Sequence, residues 1–127
     1  MSELNVITSE KIPAAVGPYS AAVEANGMLF ISGQLPIDPA TGELAAGGIA
    51  EKAAQSMRNL GALLEAAGTD YDHVVKTTVF LTDLADFAEV NRVYGAFFKK
   101  NYPARSCFQV AALPKGAPVE IEAIAVL

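Results

Sequence analysis

The sequence predicts an α+β domain, one sheet carrying two amphipathic helices on one face and subunit contacts on the other. Two central segments repeat apolar residues every three to four positions, as buried helix faces do. The segments around them are β-branched or alternate in polarity, as half-buried strands do. The 127 residues are 52% hydrophobic, with a mean hydropathy of +0.31. No apolar run approaches the roughly 18 residues of a membrane span. The surplus apolar surface therefore predicts an oligomer whose core continues between subunits.

Taken in order, Leu4 to Ser9 reads as a short strand. Tyr19 to Ala25 and Met28 to Gln34 flank Asn26-Gly27, a strong hairpin signal. Pro36, Asp38-Pro39 and Thr41-Gly42 mark a loop running to Gly47-Gly48. Ile49, Ala53, Met57, Leu60 and Leu64 stripe the first helix, with Glu51, Lys52, Gln55, Arg58 and Asn59 outside the stripe. That helix should stop near Gly68. His73 to Thr82 is β-rich, with Val75, Thr77, Val79 and Leu81 on one side and Val74, Lys76, Thr78 and Phe80 on the other.

Leu84, Phe87, Asn91, Tyr94 and Phe98 stripe the second helix, with Asp83 as its N-cap and Asp86 at its positive end. Two strands close the chain, Arg105 to Leu113 and Val119 to Leu127, joined by Pro114-Lys115-Gly116-Ala117-Pro118. Val119, Ile121, Ala123, Ala125 and Leu127 form a continuous apolar face. The opposite face begins with Glu120 and Glu122 and turns apolar at Ile124 and Val126, so this strand should be buried on both sides. With no repeat, low-complexity tract or linker, residues 1–127 read as a single domain.

Several function classes drop out. Net charge is −5, and among nine basic residues only Lys99-Lys100 are adjacent, which disfavours nucleic acid as a partner. A lone cysteine, Cys107, excludes an intrachain disulfide and suits a reducing cytosol. Met1 to Asn5 shows neither a basic start nor an apolar h-region, so a cytoplasmic location with no membrane association is expected. There is no phosphate-binding glycine loop, nucleophile elbow, metal-spaced Cys or His pair, or HExxH. With one His and one Cys, no zinc site is expected.

A few polar residues stand at awkward positions. Arg105 opens an otherwise apolar strand, on one face with Cys107 and Gln109; it is either a solvated strand end or a bidentate clamp for a carboxylate or phosphate. Glu120 is either a rim residue or a general base whose pKa a dry pocket would raise. Asn91 interrupts the second helix's stripe, as a satisfied buried polar group would. Cys107 is a buried inert thiol or, beside Arg105, an activated thiolate without a histidine nearby in sequence to assist it. His73 belongs to a solvated turn, and Tyr19, after Gly17-Pro18, anchors another.

The run Pro103-Ala104-Arg105-Ser106-Cys107-Phe108-Gln109-Val110-Ala111-Ala112-Leu113, followed after five residues by Val119-Glu120-Ile121-Glu122-Ala123, resembles the signature of the Rid (reactive intermediate deaminase) family. Gly17-Pro18-Tyr19-Ser20, Ile31-Ser32-Gly33-Gln34, and Val75 to Leu81 followed by Asp83-Leu84 and Asn91 resemble it too. The likeness covers nearly the whole chain, and Arg105 with Cys107 points to the RidA subgroup. The resemblance implies a homotrimer of chorismate-mutase-like domains, each a mixed sheet with two helices on one face, and three intersubunit clefts. It implies hydrolysis of 2-imino acids such as 2-iminobutanoate and 2-iminopropanoate to 2-keto acids and ammonia, without metal or cofactor. Carried over, Arg105 binds the substrate carboxylate with the Cys107 backbone assisting, and Glu120 positions water. Tyr19, Ser32, Gly33 and Asn91 would line or support the cleft.

If the last two strands form a hairpin centred near Gly116, Glu120 lies opposite Ala112. Arg105 would stand seven positions further on, roughly 23 Å at about 3.3 Å per residue. Clamp and base in one pocket would then come from different chains. Two other readings stay open: a trimer that binds small carboxylates without turnover, and a ribonuclease or translation inhibitor, which the acidic charge disfavours.

Overall fold

The computed structural model describes residues 4–127; Met1 to Glu3, part of the segment read for a leader, lie outside the described residues. Asn5–Ile7 (β1), Ala22–Ala25 (β2) and Met28–Gln34 (β3) form an antiparallel meander. Asn26 and Gly27 join β2 to β3 with φ of 52° and 74°, the left-handed pair a type I′ hairpin turn requires. β2 begins at Ala22 and not at Tyr19, because the chain is still turning there: the Tyr19 N–H donates to the Gly17 carbonyl at 3.0 Å. Within the expected loop, Ile37–Asp38 (β4) pairs with Glu43–Leu44 (β5) as a small ribbon.

The first helix, α1, spans Ile49–Ala66. Its Ala53, Met57, Leu60 and Leu64 are buried as their spacing predicts. Gly68 (φ 81°) ends it, with the Thr69 N–H returning to the Leu64 carbonyl. Gln55 and Asn59, outside that stripe, are buried too. The segment before β4 covers them: Asn59 Nδ2 donates to the carbonyls of Leu35 (3.1 Å) and Ile37 (2.9 Å), and Gln55 Nε2 donates to Asn59 Oδ1. Periodicity sees the sheet on one side of α1 but not the strap on the other.

Next come β6 (Val74–Leu81), α2 (Phe87–Gly95), β7 (Ala104–Gln109) and β8 (Val119–Val126). The strand order is β1-β2-β3-β8-β6-β7, antiparallel except for β7, which runs parallel to β6. The expected hairpin of the last two strands does not form, since β6 lies between them. A strand followed by a helix and a strand closes as a parallel crossover unit, and β6-α2-β7 is one. Buried Thr77, Val79 and Leu81 suit β6 to the middle of the sheet. β7, with Ala104, Phe108 and Gln109 exposed, takes the edge.

Val74 and Val75 sit on the sides opposite to those expected. An irregularity between Val74 and Lys76 lets Val74 enter the core while Val75 is exposed. In α2 the buried residues are Val90 and Tyr94, with Phe98 beyond the helix end. A single 3₁₀ turn, Leu84–Asp86, precedes it, capped by Asp83, whose Oδ1 accepts from the Ala85 N–H. Leu84 and Phe87 stay partly exposed.

Both helices pack on the face of the sheet that carries Leu29, Ile31, Val79, Ile121 and Ala123. Glu120, Glu122, Ile124 and Val126 point to the other face. There β8 is only partly covered within one chain, together with the exposed Phe30 and Phe108. Two helices on one face of a mixed sheet, the predicted α+β architecture, is the observed one.

Candidate active site

Arg105 pairs in register with Thr77 on β6, and Thr77 is a buried residue of the helix-facing side. The Arg105 side chain therefore rises toward α2. Its Nη1 donates to Asn91 Oδ1 at 2.6 Å, and its guanidinium carbon lies 5.0 Å from the centroid of Tyr94 and 5.5 Å from that of Phe87. Phe87, Asn91 and Tyr94 share one helical face, four and three residues apart. Asn91 is thus satisfied as the acceptor for an arginine. Tyr94 is fixed in turn by a 2.6 Å hydrogen bond between its hydroxyl and that of Thr77.

Cys107 follows on the same face, partly buried against the core. Burial pushes its thiol up, and nearby Arg105 only partly opposes this. An activated thiolate is therefore not what this environment favours.

The other residues gather on the opposite side. β3 is irregular between Ile31 and Gln34, and Ser32 Oγ there donates to the Ser20 carbonyl at 2.7 Å. A cleft of about 800 Å³ opens beside it, lined by Tyr19, Ser32, Gly33, Lys115, Glu120 and Glu122 among others. Gly33 is the close approach: a Cβ built there would stand 2.6 Å from Glu120 Cδ and 2.8 Å from its Oε2. The missing side chain is the space the Glu120 carboxyl group occupies. Burial, then the charge of Glu122, raises the Glu120 pKa above its ordinary value of 4.5. That is the shift expected of a general base in a drier pocket.

Arg105 and Glu120 do not meet. Glu120 is in register with Phe80, three residues along β6 from Thr77, so the two side chains leave opposite faces of the sheet. Their Cα atoms are roughly 14 Å apart, about 10 Å along the strands and two strand spacings across. The 23 Å hairpin estimate is corrected, and a sheet now separates the pair instead. His73 is in its solvated turn, Nδ1 2.7 Å from Asp70 Oδ1. Among the described residues no three His, Cys, Asp or Glu side chains converge as metal ligands would, and no helix is long and apolar enough to cross a membrane.

Sequence reasoning missed Phe87, Tyr94 and Thr77 as surroundings of Arg105. The available signal is a polar residue, Asn91, between two aromatic ones, Phe87 and Tyr94, in a stripe whose spacing alone predicts core.

A mixed sheet with two helices on one face is the architecture of a known class. Residues 9–127 match the family described as Endoribonuclease L-PSP, and the chain belongs to it. The solved structure of a member of the conserved Rid protein family from Yersinia pestis superposes with a TM-score of 0.96 at 46% identity, covering 98% of this chain and all of that one. The resemblance read from the sequence is thereby confirmed. The "RutC family protein y4sK" of Sinorhizobium fredii is 58% identical over 93% of this chain and 94% of its own length. The human "2-iminobutanoate/2-iminopropanoate deaminase" is 53% identical over 95% of this chain and 88% of its own.

Proposed function

We propose that this chain is a cytoplasmic imine deaminase. It hydrolyses 2-imino acids such as 2-iminobutanoate and 2-iminopropanoate to 2-keto acids and ammonia, at clefts shared between the subunits of a homotrimer. Residues 1–127 act as one domain in it. The observation that carries this reading is the split of the site. A held guanidinium on one face of the sheet and a carboxyl group of raised pKa on the other can serve one substrate only if two copies contribute. The partly covered face with Phe30, Phe108 and Ile124 supplies apolar surface for such an assembly. Close relatives carrying the name 2-iminobutanoate/2-iminopropanoate deaminase support the substrate class.

The chemistry suits sparse machinery. The planar fork of Arg105 binds the substrate carboxylate. Across the interface, Glu120 takes a proton from water as the water oxygen bonds to the imine carbon. The same carboxyl group then returns that proton to the nitrogen; as the C–N bond breaks, the hydroxyl proton passes to the Glu120 carboxylate, the C=O bond forms, and ammonia leaves with the 2-keto acid. A protonated imine is already electrophilic, so positioning of carboxylate and water carries most of the catalysis. Tyr19, Ser32 and Gly33 line the cleft on the Glu120 side, and Asn91 and the Cys107 backbone support Arg105.

Threonine dehydratase, threonine and semicarbazide test the proposal, because semicarbazide traps the free imine. The protein should lower semicarbazone formation in proportion to its concentration. If it does not, yet binds 2-ketobutyrate, the domain is a carboxylate sensor. The family's endoribonuclease label would regain weight only if RNA cleavage survived Arg105→Ala.

A further inference from the structure

We infer that the aromatic rings of Phe87 and Tyr94 are positioning residues that set the affinity of Arg105 for its carboxylate. This rests on the reading of Arg105 as the substrate clamp. The supports of Arg105 form a closed loop. Its backbone is in register with Thr77, the Thr77 hydroxyl bonds the Tyr94 hydroxyl at 2.6 Å, and the Tyr94 ring returns to the guanidinium at 5.0 Å. Phe87 adds a second ring at 5.5 Å, and Asn91 engages Nη1 at 2.6 Å. An arginine side chain has several rotatable bonds and a large rotamer entropy, so an unsupported guanidinium loses affinity in becoming ordered. Here one nitrogen is held by Asn91 and the π-faces are attended by rings. Among the described residues no second hydrogen-bond partner engages the guanidinium, so its other N–H groups can present a planar fork to a bidentate partner.

Burial also sorts the two rings. Tyr94 is 5% exposed and belongs to the core, whereas Phe87 is 39% exposed. A surface phenylalanine beside a guanidinium adds little to folding, so its effect can be read separately from stability.

The test compares wild type with Phe87→Leu, Tyr94→Leu, Tyr94→Phe and Arg105→Ala. Binding of 2-ketobutyrate is titrated calorimetrically, kcat and KM are measured on imine generated in situ, and melting is followed in parallel. Phe87→Leu should weaken 2-ketobutyrate binding and raise KM about three- to tenfold, with kcat within about twofold and melting almost unmoved. Tyr94→Phe, which keeps the ring, should lose less affinity than Tyr94→Leu. Unchanged affinity in Phe87→Leu overturns the inference, as does a fall in kcat alone. If Tyr94→Leu fails to fold, Phe87→Leu still decides. If Arg105→Ala itself binds 2-ketobutyrate as wild type does, the clamp reading has failed, a result distinct from failure of the rings.

Discussion

Replacing Gly33 with alanine tests where the Glu120 carboxyl group must stand. The new Cβ would lie 2.6 Å from Glu120 Cδ, 2.8 Å from Oε2 and 2.9 Å from Cγ. Non-bonded carbons rest at about 3.5 Å or more, so the carboxyl group must retreat by about 1 Å. Gly33 has no positive φ, so alanine introduces no left-handed strain. The group that yields is the end of a flexible side chain, and an off-rotamer shift of that kind costs roughly 0.5–1.5 kcal/mol. A 1 Å misplacement of a positioned group costs about 10²-fold in rate, or about 2.7 kcal/mol of barrier at about 1.36 kcal/mol per tenfold. Gly33→Ala should therefore lower kcat on in situ imine about 100-fold and shift melting by no more than about 5 °C. A kcat within about twofold of wild type would refute the placement of Glu120 as base. A collapse of melting with no separate loss of kcat per folded molecule would assign Gly33 to packing alone.

Three further outcomes follow from the same geometry. Arg105→Lys should lose at least about 100-fold in kcat/KM with the assembly intact in sedimentation, because an ammonium cannot both meet Asn91 and present a planar fork. The pH profile of kcat/KM should fall on the acid side through a limb set by Glu120, above its ordinary value of 4.5, and Glu120→Gln should abolish turnover. A raised folded-state carboxyl pKa means stability is lost as pH rises from the unfolded value through the folded one. Glu120→Gln should therefore melt no lower than wild type at pH 7, and any gain should vanish near pH 4. Cys107→Ser should keep kcat within about fivefold of wild type, since burial pushes its thiol up and disfavours a nucleophilic thiolate; complete loss in a folded variant would show the sulfur to be essential.

Local pattern carried the sequence reading a long way. Asn26-Gly27 specified its hairpin because both residues tolerate positive φ and adjoining alternation sets the register. The faces of α1 and β8 were legible because Met57, Leu60, Ile121 and Ala123 recur at the periods of their elements and are buried. Motif resemblance singled out Arg105 and Glu120 from many candidate polar residues. What the pattern could not report was which strands are neighbours. β7 and β8 are adjacent in sequence and look like a hairpin, yet β6 takes the place between them. Strand order is decided by competition among distant segments for the middle of the sheet, whereas periodicity describes only how each segment meets its own surroundings. That ordering puts Arg105 among the rings of α2 and Glu120 against Gly33, on opposite faces of one sheet. The two candidate residues were legible in the sequence; their placement on opposite faces of one sheet was decided by the tertiary structure.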